Sequence, residues 1–180
     1  MQLAALLQRW NKAYNLTAIT ATDEIIAKHL LDSLSVHPYL EGNAILDVGT
    51  GGGFPGLPLA LLHPDRAFTL LDSHAKKLRF VRTAAAELGL KNVTTVHARV
   101  EQWQPDQRFS TITCRAFSAL ENIVHWCGHL LSTDGHIQAM KGHVEPAELT
   151  ALPAGWGATV RPVVVPFVDG ARHIVTLTPD

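Results

Sequence analysis

The sequence predicts a doubly wound α/β domain, and three features predict it. A short apolar run, Ala44–Val48, carries a carboxylate near its end and leads straight into a glycine turn. From residue 44 onward strand-like and helix-like segments alternate, the pattern of a parallel sheet with crossover helices. Near the C-terminus two strand-like runs flank Asp169-Gly170, a strong hairpin signal that adds an antiparallel pair.

The elements follow in order. Leu3, Leu6, Leu7, Trp10 and Tyr14 recur at helical spacing opposite Gln2, Gln8, Arg9 and Lys12, so the first helix is amphipathic and its aromatic stripe faces a core. Asn15-Leu16-Thr17 interrupts the pattern. Thr22 is expected to cap a second helix running to about residue 37, with Asp23 and Glu24 in its first turn. Ile25, Ile26, Leu30 and Leu34 would face the core, while His29, Asp32 and Ser33 share another face. Pro55 and Pro58 fit the first turn of the helix after the glycines, where N–H groups lack partners anyway. Residues 67–72 read as a strand ending in Asp72, and 74–88 as a helix closed by Gly89. Residues 93–97 and 110–114 give two more strands. Ser118-Ala119-Leu120-Glu121 reads as a capping box for a helix to about residue 131, and 135–141 as a fifth strand. The hairpin takes 159–168 and 172–178, with Val163-Val164-Val165-Pro166 marking an irregular edge. The expectation is one domain over residues 1–180, with a helical cap over 1–40 and an α/β core over 44–180.

Composition narrows the class. Of 180 residues, 47% are hydrophobic and 17% charged, which excludes a disordered chain. No apolar run approaches the roughly 18 residues of a membrane span, and the first residues lack the basic and cleavage regions of a signal peptide. Cys114 and Cys127 make no disulfide framework, so a reducing cytoplasm is expected. A net charge of −1 argues against a generally basic nucleic-acid binder but leaves room for a local basic patch.

The glycine turn admits two frames. Gly51-Gly52-Gly53-Phe54-Pro55-Gly56 satisfies GxGxxG, but in a dinucleotide fold the first glycine follows the strand directly. Here that glycine is Gly49, and the frame that fits is Asp47-x-Gly49-x-Gly51-x-Gly53. An acidic residue before alternating glycines suits S-adenosylmethionine, a sulfonium cation without phosphate, better than a diphosphate. A P-loop is excluded by the missing Gly-Lys-Ser/Thr. Asp72, ending the next strand, can accept ribose hydroxyls, a feature shared with NAD proteins. Val100 and Glu101, after the third strand, can pack on and read an adenine. An NAD(P)-dependent oxidoreductase, a methyltransferase of another substrate and a non-catalytic cofactor-binding module stay as alternatives.

Several segments recur together in one known family: Trp10 to Thr17, His29 to Leu34, Asp47 to Gly56, Leu71-Asp72-Ser73, Ala98-Arg99-Val100-Glu101, Arg115-Ala116-Phe117, Lys141-Gly142 and Arg172-His173. In this combination, over nearly the whole chain, the sequence resembles the bacterial small-subunit ribosomal RNA methyltransferase G family, historically called glucose-inhibited division protein B. The resemblance implies a class I S-adenosylmethionine-dependent, Rossmann-like fold with a mostly parallel seven-stranded sheet. It implies methyl transfer to N7 of one guanine in 16S rRNA of the small ribosomal subunit. It also implies cofactor contacts from Gly49, Phe54, Val100, Glu101 and Arg115. Two departures are visible: family members often carry a longer N-terminal helical lead, and Cys114 stands where serine is common.

Guanine N7 has a free lone pair at neutral pH, so no general base is expected; alignment should dominate. Arg115 and Lys141 are the only catalytic candidates. Lys12, Lys28, Arg115, Lys141 and Arg172 are candidate RNA phosphate contacts, and Asn15, His29 and Asp32 can shape the mouth of the site. Lys76, Lys77, Arg79 and Arg82 form a basic helix face best explained by solvation. His125-x-Cys127-x-His129 lacks the glutamate of a zincin, so no metal is expected. A monomer is expected.

Overall fold

A computed structural model describes residues 1–180. Seven strands form one sheet in the order β3-β2-β1-β4-β5-β7-β6. They are β1 (Ala44–Val48), β2 (Ala67–Asp72), β3 (Val93–His97), β4 (Phe109–Arg115), β5 (Leu131–Lys141), β6 (Trp156–Pro162) and β7 (His173–Pro179). The first five run parallel and β7 lies antiparallel to both neighbours. Helices α1 (Gln2–Tyr14), α4 (Gly56–Leu62), α5 (Ala75–Glu87) and α6 (Leu120–Cys127) complete the layers.

Side chains of β1 alternate between two cores, as a strand buried on both faces must. Ile45 packs with Leu57, Phe68, Phe80 and the first helix (Leu3, Leu6, Leu7). Leu46 and Val48 pack on the other side with Ile112, Leu120, Ile123 and Ile137. The N-terminal segment thus belongs to the first of these clusters. Trp10 lies 4.8 Å from Tyr14 and 5.8 Å from Phe80, so the aromatic stripe is indeed core.

Six local expectations need correction. Thr22 does not cap the second helix. It is the first residue of α2 (Thr22–Ile25), and its hydroxyl accepts a bond from Gln8 Nε2 at 3.0 Å, a tertiary partner that takes the place of the cap. The helix widens to a π-helix over Ile26–Leu31, resumes as α3 (Asp32–Leu34) and stops there, with Ile26 outside the core. Ser118 forms no capping box: Ala119 is the N-cap, and the Ser118 hydroxyl accepts from Asn122 Nδ2 at 3.1 Å. α6 ends at Cys127, and β5 begins four residues earlier than expected, at Leu131. Asp169-Gly170 is not a tight hairpin turn. β6 ends at Pro162, the Val163 amide still donates to the Arg172 carbonyl at 2.8 Å, and the chain then leaves the ladder in a long loop in which Pro166 has no N–H to donate. A short helix, α7 (Pro146–Thr150), was absent from the expectation.

Register explains where a site forms. Val48 pairs with Leu71 on one side and Cys114 on the other, and Cys114 pairs with Ala139. The carboxyl ends of β1, β2, β4 and β5 are therefore level. Chain connections diverge between β1 and β4, the position at which open α/β sheets bind ligands.

Candidate functional site

The glycine turn is built around Asp47. Its carboxylate is fully buried and accepts from the Thr50 hydroxyl at 2.6 Å and the Gly56 amide at 2.9 Å, with Thr113 at 3.4 Å. Burial pushes its pKa up to about 7, against these hydrogen bonds. Asp47 thus shapes the loop and offers no oxygen to a ligand. Gly49, Gly51 and Gly53 adopt φ of 67°, 56° and 87°, a region that side chains rarely enter. A Cβ on Gly53 would lie 2.4 Å from Leu57, and one on Gly49 would lie 2.6 Å from the Phe117 ring. At Gly51 the nearest atom is a backbone oxygen at 3.9 Å, so this glycine offers bare backbone to open space.

Asp72, at the end of β2, closes the loop from the other side. One oxygen accepts the Gly51 amide at 2.8 Å and the other accepts the His74 amide at 2.8 Å, with His74 Nδ1 also at 2.8 Å. The Gly51 amide is thus already held by a carboxylate, which leaves a diphosphate one loop donor fewer and a negative charge beside it. This cradle fits a ligand that carries no phosphate and some positive charge, and it disfavours NAD. Val100 is buried in the second core and Glu101 beside it is exposed, one strand along from Asp72.

Beside the turn lies a cleft of about 720 Å³ lined by Lys28, His29, Asp32, Arg115, Lys141 and Arg172 among others. Residues from the π-helix, β4, β5 and the start of β7 meet here. Asp32 Oδ2 accepts from Arg115 Nη1 at 3.0 Å and Oδ1 from Arg172 Nε at 3.2 Å. Arg115 also donates to the Lys28 carbonyl at 3.2 Å and, through Nη2, to His29 Nδ1 at 3.3 Å. A guanidinium can only donate, so Nδ1 is the acceptor, and His29 Nε2–H donates to the Thr17 hydroxyl at 2.8 Å. His29 is held neutral: burial and the Arg115 charge lower its pKa to about 4, with Asp32 opposing. The imidazole stacks on Phe54 at 4.9 Å, and Arg115 lies 5.6 Å from the same ring. Phe54 therefore supports the cap side of the cleft. Lys141 is bound at 2.8 Å by Glu148 of α7.

The structure brings His29, Asp32, Arg115, Lys141 and Arg172 together but leaves two candidates outside. Asn15 ends α1 in the left-handed conformation and, with Lys12, lines a separate depression. Lys76 and Arg79 are turned onto Tyr14, at 5.1 Å from its ring and 3.4 Å from its hydroxyl. His129 bonds the Trp103 carbonyl, and Cys114 and Cys127 are buried with thiol pKa values raised by burial, Cys127 to about 12.

Phe117, which lines the cleft, and Glu148, which binds Lys141 from behind it, carry no role in the sequence alone. Phe117 covers Gly49 from the loop after β4, where Ala116 sits at φ 48°; its place at a strand's carboxyl end was the available signal. Glu148, on an unexpected helix, gave none.

Known proteins resemble this chain in sequence and in fold. The profile of the rRNA small subunit methyltransferase G family matches residues 1–175. The chain is 52% identical to Ribosomal RNA small subunit methyltransferase G of Marinobacter nauticus over 95% of its length and 80% of that protein. It is 46% identical to the protein of that name from Psychromonas ingrahamii, over 98% and 86%. In fold it is similar to a SAM-dependent methyltransferase from Geobacter sulfurreducens in complex with S-adenosyl-L-homocysteine, with a TM-score of 0.60, 15% identity, and coverage of 83% and 90%.

Proposed function

The chain belongs to the rRNA small subunit methyltransferase G family, and from that premise we infer that it methylates N7 of a guanine in 16S rRNA, using S-adenosylmethionine. The observation that carries the reading is the juxtaposition of the phosphate-averse glycine cradle with a cleft lined by four cations. The cofactor is assigned to the turn at Gly49, Gly51 and Gly53, to Asp72, Val100 and Glu101, and to Arg115. Asp47 and Phe54 act there by holding the loop. RNA is assigned to the cleft at His29, Asp32, Lys141 and Arg172.

S-adenosylmethionine, when bound, supplies a methyl group on a positively charged sulfur. Guanine N7 carries a lone pair and no proton at neutral pH, so no residue of this chain has to act as a base. The structure is consistent with that requirement: the lone pair of His29 is committed to Arg115, and Lys141 is committed to Glu148. Arg115, held on three sides by Asp32, His29 and the Lys28 carbonyl, is a rigid wall between the two subsites. Its contribution is orientation, which can lower the barrier of a bimolecular step by about 7–11 kcal/mol in well-aligned systems.

No helix is long and apolar enough to cross a membrane. We further read the protein as a cytoplasmic monomer that needs no metal, one methyltransferase unit with residues 1–40 as cap and 44–180 as core. Calorimetric titration with S-adenosylhomocysteine and, in parallel, with NAD tests the cofactor. Binding of the first alone is expected, followed by 7-methylguanosine in small subunits from cells lacking the enzyme. NAD binding without a response to S-adenosylhomocysteine would overturn the reading.

A further inference from the structure

A carboxylate in a cleft that receives a polyanion is an electrostatic burden, yet Asp32 sits in this one and is only 7% exposed. Its two oxygens are divided between Arg115 and Arg172. Both terminal nitrogens of Arg115 are engaged inside the protein, by Asp32, His29 and the Lys28 carbonyl. Arg172 is less fully engaged. Its Nε reaches Asp32 and its Nη1 the Ala171 carbonyl at 2.8 Å, while Nη2 has no protein partner. Lys28 is matched by Glu24 and Lys141 by Glu148, each a carboxylate of its own. Two arginines share Asp32, so this trio holds the uncompensated positive charge of the cleft wall. A guanidinium recognises phosphate through a fixed fork of donors, which is useful only when its plane is fixed as well.

We propose that Asp32 is a positioning residue: it fixes the Arg172 guanidinium so that its free face takes one backbone phosphate of the RNA substrate. The proposal rests on RNA entering this cleft. Charge alone and positioning make opposite statements about Asp32→Asn. Removing a negative charge should tighten RNA binding, whereas releasing Arg172 should weaken it.

The experiment uses the full chain and unmethylated small subunits, with kcat and KM for the subunit, S-adenosylhomocysteine affinity and thermal midpoint measured on each variant. Asp32→Asn is expected to raise KM for the subunit about tenfold, a larger change than any it causes in cofactor affinity through Arg115. Arg172→Lys keeps the charge but loses the fork, and is expected to do the same. Arg172→Gln should also flatten the dependence of log affinity on log salt by about 0.7, the loss of one phosphate contact. A subunit KM at or below the wild-type value in Asp32→Asn overturns the proposal, as does a loss confined to cofactor affinity. If Asp32→Asn fails to fold, Arg172→Lys decides alone: a tenfold rise in KM supports the proposal and an unchanged KM overturns it. A wild-type protein that neither binds nor methylates subunits would remove the assigned function instead.

Discussion

Asp47 and Asp32 are both buried carboxylates at the carboxyl edge of the same sheet, but different groups surround them. Asp47 is ringed by two hydroxyls and an amide, with no direct cation contact, and burial pushes its pKa to about 7. Asp32 lies between two guanidinium groups that reach it from β4 and from the last loop residue before β7. The first carboxylate fixes backbone: it ties the end of β1 to the start of α4 and so sets the glycine turn. The second fixes cations, and through them the wall of the cleft. A buried acid in this fold therefore does one of two jobs, decided by whether its donors are neutral or charged.

The largest expected effect separates the two jobs directly. Asp47→Ala leaves a buried hydroxyl and the Gly56 amide without an acceptor and should cost about 3–5 kcal/mol in urea unfolding. Asp32→Ala should cost less than half of that, because Arg115 and Arg172 retain some solvent access. Equal losses would erase the distinction. On the loop side, Gly49→Arg should abolish S-adenosylhomocysteine binding in calorimetry, since the position combines positive φ with the Phe117 ring 2.6 Å from any Cβ.

Acidity gives a subtler test. Asp47 has a raised pKa, so its contribution is full below its ordinary value of 3.8 and is lost as pH rises to about 7. His29 has a lowered pKa, so its contribution is full above 6.5 and is lost as pH falls to about 4. Between about pH 4 and 6.5 the two oppose each other. Asp47→Asn should therefore lose stability on acidification more steeply than wild type, by up to about 1.4 kcal/mol per pH unit. His29→Gln should do the reverse, by less, because the ring is partly solvent-screened. Unfolding at three pH values in that window checks both, and parallel slopes would contradict the pairing. The smallest effect is expected at the exposed Lys28–Glu24 pair, where Glu24→Gln should change stability by under about 0.5 kcal/mol. A larger change would mean that this pair, too, positions the cleft.

Much of the loop side was legible in the sequence. Asp47, three alternating glycines and Asp72 declare their places because strand period, glycine conformation and helix starts are local properties. Hydroxyl side chains were read less well. Thr22 and Ser118 carry good capping sequences, but distant or neighbouring side chains claimed their oxygens. The hairpin signal at Asp169-Gly170 did not set a tight turn, because β6 and β7 part after the Val163–Arg172 hydrogen bond.

The sequence by itself determined the α/β order, the glycine frame and, through resemblance, the chemistry. Only the tertiary structure decided that Asp32 joins Arg115 and Arg172, 83 and 140 residues away along the chain. It also decided that Asn15 stays outside the cleft. Local conformation follows from neighbouring residues, whereas the pairing of charges depends on where the sheet's register brings distant strand ends level.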